Sequence, residues 1–162
     1  MENKGTSQFI WDRDQIKNDA AIMGIWFWVQ DLERSFKFYT EVIGLKEVMR
    51  SKQEYGYPEG FNEIFLSRNG VDGEPFIMIT NDAEHSINPI EHGNNIWRIP
   101  VAVGSVAAVK ERATAAGYEV YGEYRGKVPQ IPKHRETIKL SNGAAINDPD
   151  GYVLHLFEWE CH

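Results

Sequence analysis

The chain has 162 residues, a formal net charge of -7 and an apolar content of 42%. That length suits one compact domain that buries most of its apolar surface, and the composition excludes wholesale disorder. The acidic balance argues against a nucleic-acid partner and against electrostatic docking on anionic lipid, although a locally basic pocket stays open. Cys161 is the single cysteine, so no intramolecular disulfide is available, and its place near the C-terminus reads as a free thiol. The first residues lack an apolar core of signal-peptide length, and no apolar run is long enough to span a bilayer. Cytoplasm is the default compartment, with no membrane partner expected.

Residues 1–20 are polar apart from Phe9, Ile10 and Trp11, and read as an N-terminal arm. Ala21 to Val29 is rich in β-formers and predicts a strand. Asp31 follows as an N-cap, and Leu32, Phe36, Tyr39 and Ile43 recur at helical spacing down to Gly44, a natural stop. Leu45 to Arg50 predicts a strand and Ser51 to Gly60 a loop. Phe61 to Ser67 and Pro75 to Thr80 predict a hairpin around Arg68–Gly73. Asn81 to Asn95 is polar, carries His85 and His92 as exposed residues, and reads as a linker.

Ile96 to Val103 predicts another strand. Ser105 caps a helix with Val106, Val109 and Ala113 on its apolar side, ending at Gly117. Glu119 to Tyr124 is a strand, and Arg125 to Arg135 a Pro-containing loop whose Lys127, Lys133, His134 and Arg135 form a small basic cluster. Two short extended pieces, Thr137 to Leu140 and Ala144 to Asn147, precede a turn. In Asp148-Pro149-Asp150-Gly151, Pro149 presets one φ, the Asp side chains bond back to the backbone, and Gly151 takes positive φ. The final strand, Tyr152 to Trp159, is apolar on both faces except for His155.

The halves repeat. Trp28-Val29-Gln30-Asp31-Leu32 lies over Ala102-Val103-Gly104-Ser105-Val106, and Gly44-Leu45-Lys46-Glu47-Val48 over Gly117-Tyr118-Glu119-Val120. Each half reads β-α-β-β-β, one duplication over about 21–82 and 95–160. The expected class is α+β: two tandem βαβββ modules within one domain, 21–162, forming a curved, partly closed mixed sheet with helices outside. The concave face is the natural pocket.

Two stretches, Val29-Gln30-Asp31-Leu32 through Tyr39 to Gly44-Leu45, and Asp148-Pro149-Asp150-Gly151-Tyr152 through Glu158, resemble the vicinal oxygen chelate superfamily. That superfamily holds glyoxalase I, extradiol dioxygenases, fosfomycin-resistance enzymes and bleomycin-binding proteins. The resemblance covers roughly residues 21 to 160 and implies a fold more firmly than a reaction. It implies one metal ligand on the first and one on the last strand of each half, which here fall on Gly24, Met78, Arg98 and His155. Glycine offers no donor, methionine only a weak thioether, and arginine a permanent cation. One histidine does not hold a divalent ion, so no metal and no other cofactor is expected.

The remaining site residues are weighed on their chemistry. Arg98 is either a strand-end arginine reaching water or a structural carboxylate, or a planar fork for a ligand's carboxylate, phosphate or enolate oxygen. His155 is either a satisfied core histidine or a neutral imidazole acting as general base or acid. Trp26 and Trp28 share a face with Gly24 and would line the concavity, opposite Phe76 and Met78; ordinary core packing is the competing reading. Gly24 would leave room for a ligand group. Glu63 either projects inward or faces solvent.

Three functions compete. One is a metal-independent lyase or isomerase acting on a small carbonyl or carboxylate compound, with His155 carrying the proton and Arg98 anchoring the anion. Another is a non-catalytic protein that holds an aromatic or antibiotic ligand. The third is a metal-dependent lyase or dioxygenase with atypical ligands. The first is preferred, because two ionisable groups at the chemical positions exceed what a passive aromatic cup needs. A small-molecule ligand and a homodimer are the expected partners.

Overall fold

The computed structural model describes residues 24–52, 60–71, 75–93, 98–125 and 138–161. The N-terminal arm, the basic cluster Lys127–Arg135 with His134, and most of the two predicted loops within 53–59 and 126–137 lie outside these residues. The chain divides into two compact units. The first joins residues up to Thr40 with Gly44–Asn88, and the second joins Glu41–Ile43 with Pro89–His162.

The first unit opens with β1 (Gly24–Trp28) and α1 (Leu32–Lys37). Asp31 is extended at φ -129 and its carboxylate accepts from the Arg34 N–H at 3.0 Å, the cap the sequence predicts. The helix does not run on as α to Gly44. Phe38–Ile43 is wound as a π-helical turn, and it ends where Gly44 turns left-handed at φ 95. The Gly44 and Leu45 N–H groups both donate to the Tyr39 carbonyl, at 3.1 and 2.9 Å, which satisfies the helix end.

Three antiparallel strands follow: β2 (Lys46–Lys52), β3 (Asn62–Ser67) and β4 (Phe76–Asn81). β1 pairs with β4 in parallel, giving the sheet order β1-β4-β3-β2. Alternation along the strands sends Phe27, Ile64, Leu66, Ile77 and Ile79 to the helix side, where they are buried with Phe38 and Tyr39. Ile64, Leu66 and Ile79 have no exposed surface. Burial of each stabilises the unit by about 2 kcal/mol.

The second unit repeats the plan with β5 (Ile99–Val103), α2 (Val106–Ala115), β6 (Val120–Arg125), β7 (Ile138–Asn147) and β8 (Val153–Cys161), ordered β5-β8-β7-β6. Ser105 caps α2 by accepting from the Ala108 N–H at 3.2 Å, and the Glu158 carboxylate accepts the Val106 N–H at 2.9 Å. A negative group at this end also complements the helix dipole. Val106, Val109 and Ala113 face a core of Ile99, Val101, Ala144, Ile146, Leu154 and Leu156.

The two short extended pieces expected before the turn are one strand, β7. The break at Ser141-Asn142-Gly143 is absorbed as a bulge, because β7 gains one residue on β8 between Leu140 and Asn142. Within this unit Arg112 Nε donates to the Val42 carbonyl at 2.9 Å, tying in Glu41–Ile43.

The turn into β8 forms as predicted. One oxygen of Asp148, 4% exposed, accepts from the N–H groups of Asp150 (3.0 Å) and Tyr152 (2.8 Å). Gly151 sits at φ 92. Each half is therefore a βαβββ module with its own four-stranded mixed sheet and one outer helix. Among the described residues no helix is long and apolar enough to cross a membrane.

Candidate functional site

In the second unit the sheet face turned away from α2 carries Arg98 and His155. Along β5 the alternation is plain: Ile99 and Val101 are buried, while Pro100 and Ala102 are exposed, as is Arg98 just before the strand. The register then sets neighbours. Pro100 lies beside His155, His155 beside Ala145, and Ala145 beside Tyr121, a lateral row across all four strands. The next row holds Ala102, Phe157 and Gly143. Proline, alanine and glycine flank the histidine, so the floor around it is low and His155 is half-buried rather than enclosed.

The His155 ring leans on Phe157, with centroids 4.2 Å apart. Its pKa is held below the ordinary 6.5, first by partial burial and then by the positive charge of Arg98. The guanidinium is therefore close enough to bear on the charge of the imidazole. Neutral imidazole is the species at pH 7, an acceptor of protons beside a fixed cation.

In the first unit the face away from α1 is organised by the same rule. Trp26, Met78, Phe65 and Met49 form one cross-strand row, and Trp28, Thr80, Glu63 and Ser51 the adjacent one. The first is an apolar stripe. Trp26 is 51% exposed at its edge, Met78 is buried within it, and Phe76 packs on Phe65 with centroids 5.3 Å apart. Glu63 is buried at 8% and accepts from the Ser51 hydroxyl at 2.5 Å, so it lies on this face and not in solvent. Gly24 gives no opening: a Cβ there would lie 2.1 Å from the Phe76 carbonyl oxygen, so β4 already fills that space.

His85 sits in a turn, as expected, but is only partly exposed. Its ring stacks on Trp28 at 3.8 Å and 8°, and it is only about a third exposed. Asp82 fixes it, accepting the His85 backbone N–H and contacting Nδ1, both at 2.8 Å. Burial pushes the Asp82 carboxyl up, but the bonds from His85 outweigh it and hold the carboxyl below 3.8. His92 is exposed, as expected, and donates from Nε2 to the Asp150 carbonyl at 2.5 Å. Its ring meets Tyr152, whose hydroxyl is pushed up to about 12 by burial and then by Asp148 and Asp150.

Phe65, Met49, Ser51, Tyr121 and Asn147 stand on these two faces without having been singled out from sequence. Each lies on a segment read as strand or next to one. What was missing is the register that aligns it with Met78, Glu63 or His155.

Residues 21–156 match the Glyoxalase/Bleomycin resistance protein/Dioxygenase superfamily, and the chain belongs to it. The vicinal oxygen chelate fold, with its tandem modules, is confirmed. Among relatives, the chain is 31% identical over 131 residues to a lactoylglutathione lyase of Haemophilus influenzae, covering 80% of this chain and 86% of that one. A probable chloroplastic lactoylglutathione lyase of Arabidopsis thaliana is 30% identical over 88% of this chain, which spans 37% of that relative's length. The solved glyoxalase I of Leishmania major, described as trypanothione-dependent, superposes with a TM-score of 0.62 at 19% identity, covering 86% of this chain and 87% of its own.

The metal that this fold family implies does not fit the residues present. The four positions that the resemblance assigns to it hold Gly24, Met78, Arg98 and His155, with one imidazole among them as a donor. A donor side chain at Gly24 would strike the backbone of β4, and a guanidinium beside the imidazole opposes a cation. Among the described residues no three of His, Cys, Asp and Glu converge on a point.

Proposed function

We propose that this chain is a metal-independent enzyme of the superfamily that moves a proton next to a carbonyl or carboxylate group of a small molecule. The observation that carries this reading is the pairing of a neutral, half-buried His155 with the Arg98 guanidinium over a floor of small residues. In this chemistry His155 takes the proton from carbon, the C–H electron pair forms a C=C bond, and the carbonyl π pair moves onto oxygen, which Arg98 receives as an oxyanion. Returning the proton to the opposite face of the same carbon, or to the former carbonyl carbon while the 2-hydroxyl proton passes to the other oxygen, completes an isomerisation with no net oxidation. The relatives named as lactoylglutathione lyases favour a substrate with a 2-hydroxy acyl or 2-oxo group.

The test is proton exchange in deuterium oxide. S-D-lactoylglutathione, lactate and pyruvate would be incubated with EDTA-treated protein, and exchange at carbon followed by NMR. Enzyme-dependent exchange that survives EDTA and falls at least about a hundredfold in His155→Ala is expected, since a positioned base contributes about that factor or more. Exchange that requires added Ni²⁺ or Zn²⁺, or that ignores His155, overturns the reading.

A second reading has its own observation. The row Trp26–Met78–Phe65–Met49 is an aromatic and thioether stripe of the kind that holds flat apolar ligands. It supports a binding role of the sort the superfamily's name includes under bleomycin resistance. Tight binding of an aromatic antibiotic lost in Trp26→Ala, with no exchange in any assay, selects it. Subunit pairing and residence in the cytoplasm belong to the proposal, and sedimentation of the purified protein tests the first.

A further inference from the structure

We propose that Tyr121, positioned by Asn147, is a specificity-determining residue that selects carboxylate substrates carrying a hydroxyl or N–H donor on the side of the reacting carbon away from Arg98. This rests on the reading of Arg98 as anion anchor. The lateral order across the sheet is Pro100, His155, Ala145, Tyr121, all projecting from the face away from α2. Two strand spacings separate the histidine from the tyrosine, roughly 10 Å between Cα atoms. The Ala145 methyl stands between them and is 5% exposed. Arg98 lies beyond His155 on the opposite flank, so the three groups run as cation, base, phenol.

The phenol is aimed. Its O–H donates to Asn147 Oδ1 at 2.5 Å, which commits the proton and leaves the oxygen as an acceptor. The backbone supports the aim. β6 bulges directly after Tyr121, gaining one residue on β7 between Tyr121 and Tyr124, and Gly122 in that bulge is left-handed at φ 60. Such bulges re-orient the adjoining side chain. A plain alkyl chain would meet this oxygen without giving it a hydrogen bond, whereas a hydroxyl would donate to it.

The experiment compares ω-hydroxy carboxylates, from 3-hydroxypropanoate to 6-hydroxyhexanoate, with their unhydroxylated counterparts. Binding is followed through the His155 ring resonances by NMR. One chain length is expected to bind about three- to tenfold tighter than its counterpart, the span of a single neutral hydrogen bond. Tyr121→Phe should erase that advantage while leaving binding of the unhydroxylated acids unchanged, which also shows that the variant is folded. Asn147→Ala should reduce the advantage, and Arg98→Ala should weaken every carboxylate alike. Carboxylates that bind through Arg98 with no hydroxyl preference, or with one that survives Tyr121→Phe, overturn this inference alone. If no carboxylate binds, the anchor reading falls and this inference with it.

Discussion

His155 shows how a single substitution pattern in a strand can be read for chemistry. In β8 the buried alternates are Leu154 and Leu156, and the histidine occupies the other face, where Arg98 and partial burial both oppose its protonation. The sign follows. The folded chain binds this proton less readily than the unfolded one, so the contribution to stability is complete above about pH 6.5 and is lost as pH falls below that value. Arg98→Met should bring the His155 titration midpoint back upward, read by NMR of the ring protons. A midpoint that stays put would show that the guanidinium is too far away to matter. Asp148 is a second case. Its one oxygen serves two backbone N–H groups in a buried turn, so Asp148→Ala should cost about 2 kcal/mol in urea unfolding. A loss below half of that would mean the turn holds without its side chain.

At the scale of elements, capping and stop signals were readable because they depend on a few residues close in sequence. Asp31, Ser105, Gly44 and Gly117 all do what their residue types predict, with both glycines left-handed at φ 95 and 83. Gly44→Ala should therefore destabilise the chain by about 1 kcal/mol or more, measured by thermal or urea melting, since it forces a Cβ into left-handed backbone. Ser105→Ala should cost about 1 kcal/mol, and less if the Glu158 carboxylate takes over more of the capping. What periodicity did not give was the π-helical turn at Phe38–Ile43, or the continuity of β7. A run of Ser141-Asn142-Gly143 has weak β-propensity, and only pairing with β8 along its whole length keeps it in the ladder. The partial burial of His85 was hidden for the same kind of reason: a polar loop sequence says nothing of the Trp28 ring against which the histidine stacks.

The duplication gave the two modules. Two copies of strand, cap, helix and hairpin are visible in the chain, and each forms its own four-stranded sheet. Which residues stand beside His155 on its own sheet was not visible, because the cross-strand row Pro100–His155–Ala145–Tyr121 depends on register, and no local pattern encodes it. Register also sets what Gly24 can carry, because it places this residue beside Phe76. At Gly24 even a methyl group would collide with the Phe76 carbonyl, so Gly24→Ala should weaken the β1–β4 pairing and lower the melting temperature by several degrees. A larger donor such as histidine there should be worse. Calorimetric titration of the native chain with Zn²⁺ and Ni²⁺ should accordingly show no stoichiometric tight site, because one imidazole beside a guanidinium supplies neither the donors nor the charge. A one-to-one site of submicromolar affinity would instead mean that ligands from outside these four positions join His155, which would then be a metal ligand before it was a base.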